Sequence, residues 1–340
     1  MRWLRCSPVL LAVALLSGLA VVGSTSATFG SQTSSTSNRV SAAPDFRAPT
    51  AGSSLIFKSQ TPGSSTGYIK QGGSYRVYAN VSDTGNPASG TATVTANVSA
   101  FSTGVTAAAL TFGSYTVGGV SYNYRSAILT ASSPVAEGSK SFTLGLTDNA
   151  ANSATASGFS VIVDNTAPSA TNIQTVSGGT LGTPTNGDQM VFTFSEPIDP
   201  DTIKPGWTGA STSVDVVILD GGGGLLGLGG LLGAADDVFT VEPDGGGTRL
   251  PLNVGLGSDN YAWDVVLVLR VTCHVTFNNS TMAMSANTIT VTLGGSPSCN
   301  HSEGSAATLT YVPTAGPTDR AGNALPTTTL AEPGTADRDF

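Results

Sequence analysis

Histidine and cysteine are almost missing: the 340 residues include two of the first and three of the second. A nucleophilic triad needs a histidine beside its serine or cysteine. Neither His274 nor His301 lies in a G-x-S-x-G setting. A glycosidase needs two carboxylates about 5–10 Å apart in a cleft, and Glu196 is the one glutamate beside a strand end. The expectation is therefore a protein that is not an enzyme. Basic residues are scarce as well, 14 against 22 acids for a formal charge of −8. A chain this acidic lacks the electrostatic footprint for nucleic acid or anionic lipid.

Long hydrophobic runs are confined to one place. Arg2 and Arg5 precede the apolar stretch Pro8–Val22, and small residues follow, with Gly23 or Ala27 at the last position before a cleavage. Such a stretch is too short and wrongly flanked for a membrane span and predicts a signal peptide over 1–27, hence an extracellular, secreted protein with no transmembrane anchor after cleavage. Loss of Arg2 and Arg5 with it brings the formal charge to −10. Cys6 precedes the apolar core, whereas a lipoprotein cysteine would follow it. Leu325-Pro-Thr-Thr-Thr329 lacks the glycine and the hydrophobic tail of a wall-sorting signal.

What the chain has is glycine, small polar residues and strict alternation. Residues 28–50 are Ser/Thr-rich and predict a short linker. Beyond them the period is two. Tyr75, Val77, Ala79 and Val81 form one face; Val94, Ala96 and Val98 form another; Phe142, Leu144 and Leu146 repeat it, as do Phe159, Val161 and Val163. This pattern means strands with one face on a core and one in water. Asp164-Asn-Thr-Ala-Pro168 marks a joint, since proline stiffens a short connection. A second series follows: Met190, Phe192 and Phe194, then Val214–Leu219, Val238–Val241, Val265–Phe277, Thr288–Leu293 and Thr308–Val312. The expected fold is all-β, two tandem antiparallel β-sandwiches over 51–166 and 167–336, with a Gly/Leu-rich insertion near 221–233 read as a loop.

One turn phrase occurs twice, roughly 170 residues apart: Thr147-Asp-Asn-Ala-Ala-Asn152 and Thr318-Asp-Arg-Ala-Gly-Asn323. Repetition at domain spacing suggests one kind of β domain built twice. Phe194-Ser-Glu-Pro-Ile-Asp199 together with Thr318–Leu325 resembles the bacterial Ig-like domain of the S-layer-protein type, over roughly 170–335. Thr147–Asn152 followed by Val163-Asp-Asn-Thr-Ala-Pro168 is similar to other bacterial Ig-like repeats, with Ala151 where those carry glycine. Alanine is tolerable there if its φ stays negative. The resemblance implies two Ig-like sandwiches and an extracellular spacer, adhesion or envelope-layer role.

Cys273 and Cys299 are the cysteines left after cleavage and are the disulfide candidates in an oxidising compartment. A hairpin of 265–277 with 288–293 would set Cys273 opposite about residue 291, so loop 294–303 would have to fold back for a bond. A zinc reading with His274 and His301 is disfavoured, because adjacent strand residues such as Cys273 and His274 face opposite ways. Calcium has candidate ligands of its own, at Asp199/Asp201, Asp236/Asp237, Asp148 and Asp319. No stretch has the spacing of a dedicated loop, and aspartate in such turns commonly satisfies its own backbone. No cofactor is expected. Tyr122, Tyr124, Trp207, Tyr261 and Trp263 are the ligand-contact candidates, by stacking on glycan, against cross-strand pairing within the sheet. The function expected is a non-catalytic structural or adhesive protein whose partners are cell-envelope or extracellular-matrix components or itself. The alternative is a module that binds glycan or another surface ligand.

Overall fold

The computed structural model describes residues 45–85, 87–220, 236–258, 260–262, 274–298 and 303–340. The expected signal peptide, most of the Ser/Thr-rich linker, the Gly/Leu-rich insertion, Trp263, Cys273, Cys299 and His301 lie outside these residues. Strand makes up 47% of the structure and helix 2%, so the protein is all-β.

The first strand set comprises β1 (Thr50–Lys58), β2 (Tyr68–Ile69), β3 (Ser74–Ser82), β4 (Thr91–Asn97), β5 (Ala108–Val117), β6 (Val120–Ser126), β7 (Leu129–Thr130), β8 (Gly138–Asp148) and β9 (Ser153–Val163). They run in the order β1-β3-β6-β5-β4-β8-β9-β2, with β7 on β3. Pairing is antiparallel except where β2 lies parallel to β9. The alternation closes a single core. Ile56 of β1 and Tyr75, Val77, Ala79 and Val81 of β3 meet Val94 and Ala96 of β4, Phe142, Leu144 and Leu146 of β8, and Val161 and Val163 of β9. Tyr78 points the other way and packs with Val117 and Tyr122 in a small outer cluster.

The second set comprises β10 (Ala170–Val176), β11 (Gln189–Phe194), the short helix α1 (Pro200–Ile203), β12 (Thr212–Leu219), β13 (Val238–Pro243), β14 (Val254–Gly255), β15 (Val275–Ser285), β16 (Thr288–Thr292), β17 (Thr310–Tyr311) and β18 (Leu330–Ala331). The strand order is β10-β11-β16-β15-β12-β13-β14-β17-β18. Met190, Phe192 and Phe194 of β11 enter a core with Val214, Val216 and Ile218 of β12, Phe239 and Val241 of β13, and Tyr311 of β17. Asp199 caps α1, its side chain accepting from the Asp201 amide, and Pro200 supplies a preset first helical residue.

Three expectations are corrected. The hairpin register differs: Val291 pairs with Met282, because β15 runs on to Ser285 and turns through Ala286 and Asn287. The ordered fold starts before residue 51, with Asp45 buried and β1 beginning at Thr50. It also continues past 336, where Phe340 is fully buried and stacks on Phe239 at 6.2 Å.

Candidate functional site

The two copies of the turn phrase build the same clasp. Asp148 accepts from the Asn152 amide at 2.8 Å and from the Asn152 side-chain amide at 2.8 Å. Asp319 does the same for Asn323, at 2.8 and 2.7 Å. Each asparagine then donates onward to a backbone carbonyl of the segment leading into its own strand set: Asn152 to Asp45 at 3.2 Å, Asn323 to Asp164 at 3.0 Å. The aspartates thus satisfy their own turns, as expected from their chemistry. The clasp also reveals a second repeat. Asp45-Phe-Arg-Ala-Pro49 corresponds to Asp164-Asn-Thr-Ala-Pro168.

Ala151 departs from its expected geometry. Its φ is +67°, and that of the matching Gly322 is +93°. The turn holds both in the left-handed region, where a Cβ is strained.

Each clasp gathers three acids. Asp45, Asp83 and Asp148 each offer a carboxylate oxygen within 4.8 Å of the others, and so do Asp164, Glu196 and Asp319. The two groups differ in how their charge is met. In the first, Asp45 accepts from the amides of Arg47 and Ser89, and Asp83 from those of Gly85 and Gly90. The Arg47 and Ser89 amides hold the Asp45 carboxyl below its ordinary range. In the second, Glu196 stands where Asp83 stood, at the end of the second long strand, and its Oε1 is buried with no hydrogen-bond partner. Burial first, then the charges of Asp164 and Asp319, push Glu196 up to about 7. Burial also raises Asp319. Three carboxylates with one unmatched oxygen present the donor set of a hard cation or a shared proton.

The second group sits where the two strand sets meet. Lys58, at the end of β1, reaches Asp199 at 2.6 Å, with side-chain exposures of 1% and 0%. The same ammonium donates to the Arg320 carbonyl at 2.7 Å. Asp199 accepts further from the amides of Ser64 and Ser65, at 3.3 and 3.0 Å. Lys70 donates to the Gly322 carbonyl at 2.6 Å, and the Arg320 guanidinium lies 5.7 Å from the Tyr68 ring centre. The clasp turn of the second set is therefore held by two lysines of the first.

The residues singled out in the sequence are placed as follows. Tyr122 packs against Tyr78 at 5.8 Å, and Tyr124 against Phe112 at 5.4 Å; both tyrosines are buried. Trp207 is buried and donates its indole N–H to the Ala210 carbonyl. Tyr261 is fully buried and donates to the Asp339 carbonyl at 3.3 Å. A buried ring has no face to offer a glycan, so the cross-strand and core readings fit these four. Asp201 accepts from the Gly206 amide, Asp237 from the Ala262 amide, and Asp236 is exposed. Trp263 and the Cys273–Cys299 pairing lie outside the described residues.

Sequence reasoning missed Lys58, Asp83 and Asp45. Only Asp45 had a signal, the repeated D-x-x-A-P. No helix among the described residues is long and apolar enough to cross a membrane. No protein-family model matches the chain, and no curated protein matches it.

Proposed function

We propose that this chain is a non-catalytic, secreted structural or adhesive protein of the bacterial surface, two Ig-like sandwiches coupled into a stiff spacer, envelope-layer or fibre component. The observation that carries this reading is the joint. A freely hinged pair of domains keeps a polar, wet contact, whereas here a lysine and an aspartate are withdrawn from water to face each other across the boundary. A buried charge is tolerated only when paired and hydrogen-bonded. The pairing therefore fixes one relative arrangement. The unmatched Glu196 oxygen at the same boundary supports a version of the reading in which calcium stiffens the joint.

The test is made on the producing cells. N-terminal sequencing and envelope fractionation are expected to find a chain trimmed near residue 27 in the envelope or medium. An untrimmed chain found only in the cytosol contradicts the proposal.

A second reading, glycan or surface-ligand binding, is favoured by one feature. Phe112 is 69% exposed and lines a shallow cleft with Asp83 and Thr91. An exposed ring beside a carboxylate is a sugar-stacking arrangement. Glycan-array binding abolished by Phe112→Ala would support this reading, and an array that stays blank would remove it.

A further inference from the structure

The segment after β18 folds back over its own sheet. Glu332 donates its amide to Leu309 at 2.8 Å, and Asp337 exchanges two backbone hydrogen bonds with Ala307 at 2.7 and 3.1 Å. Strand-like alternation then turns Asp337 and Asp339 to one side. Phe340 is fully buried between Phe239 and Tyr261, and its amide donates to Thr175 Oγ1 at 3.2 Å. Burying Phe340 drags Asp339 under the surface, where its residue exposure is 1%.

Three carboxylates result: Glu332, Asp337 and Asp339 each offer an oxygen within 4.8 Å of the others. Asp339 Oδ1 accepts from Thr175 Oγ1 at 3.0 Å, but Oδ2 is buried with no partner. Glu332 meets only a long contact from the Leu309 amide at 3.4 Å. The neighbouring base, Arg338, turns away to Glu303. A nine-tenths-buried carboxylate with one empty oxygen, facing two more acids, calls for a positive charge that no described side chain around it supplies.

We infer that Glu332, Asp337 and Asp339 form a calcium site that fastens the segment 332–340 to the second strand set. The donors are all oxygen, which selects a hard cation over zinc or copper. Calcium binds oxygens at about 2.3–2.6 Å, so two ligands across one ion stand up to about 5 Å apart, matching the spacing here. Magnesium keeps several waters and uses one or two carboxylates, and so suits a three-carboxylate pocket less well. The site is separate from the joint at Asp164 and does not rest on the functional reading above.

The experiment is isothermal titration of the whole chain with calcium chloride after chelator treatment, comparing wild type with E332Q/D337N. Asp337 is exposed and Glu332 is half-buried, so the double variant is expected to fold. The expected result is a loss of one calcium per chain, or a weakening of one site by roughly tenfold or more. A second readout uses Tyr261, whose hydroxyl touches Asp339. Terbium bound at this site is expected to luminesce on tyrosine excitation. That component is expected to vanish in E332Q/D337N and to dim in Tyr261→Phe, with the calcium count of the latter unchanged. Wild type that binds no calcium, or identical titrations of wild type and the double variant, would overturn the inference.

Discussion

Ala151 and Gly322 occupy the same position of the same clasp, and only one of them suits it. A left-handed alanine costs about 1–2 kcal/mol relative to glycine. Ala151→Gly is therefore expected to raise the urea midpoint by the equivalent of about 1 kcal/mol, after the entropy glycine adds to the unfolded chain. The reverse change at the other clasp should be harmful twice over. Gly322 has φ +93°, and a Cβ there would lie 2.2 Å from the Thr61 methyl. Gly322→Ala is expected to destabilise by about 2 kcal/mol or more. A second residue-scale expectation concerns Glu196. Its folded pKa of about 7 lies above its ordinary 4.5, so ionising it opposes folding. Its contribution to stability is fully present below about pH 4.5 and is lost as pH rises through about 7. With chelator present, Glu196→Gln should stabilise the protein at pH 8, by on the order of 1–2 kcal/mol after solvent screening, and leave it little changed at pH 4. An equal effect at both pH values in thermal melts would remove that explanation.

At the scale of elements, alternation made β3, β8 and β11 legible because every second side chain reaches the core. It failed inside β15. There the buried positions shift from Val275 and Phe277 to Ser280 and Met282, across the exposed pair Asn278-Asn279. Asn279 takes φ +59°, and the register with β12 slips beside it. A bulge of this kind inserts a residue and reverses the phase, so a strict period-two reading ends the strand at Phe277 and misplaces the hairpin. Ser280 holds the irregular point together. Its hydroxyl donates to the Phe277 carbonyl at 2.8 Å and accepts from the Gly294 amide at 3.0 Å. Ser280→Ala leaves that amide buried and unmatched, an expected loss of about 1–3 kcal/mol, measurable by chemical denaturation. A loss below about 0.5 kcal/mol would mean that water takes over the role. The lead-in of the first set was misread for a different reason. Asp45 follows a Ser/Thr-rich run whose composition says linker; the carboxylates it joins, Asp83 and Asp148, are far along the chain.

For the whole molecule, the central element is the meeting of the two strand sets. Nothing local in the sequence announces it: Lys58 is one charge at the end of a strand, and its partner lies 141 residues away. Removing one member of a buried ion pair typically costs about 3–5 kcal/mol, because the other charge stays buried. Lys58→Ala should cost that much, and the loss should fall on the coupling of the two sets rather than on either core. The most direct test is differential scanning calorimetry of the whole chain and of Lys58→Ala. One cooperative transition is expected for the wild type and two resolved transitions for the variant. Two independent transitions already present in the wild type, unmoved by the substitution, would contradict a coupled, stiff pair.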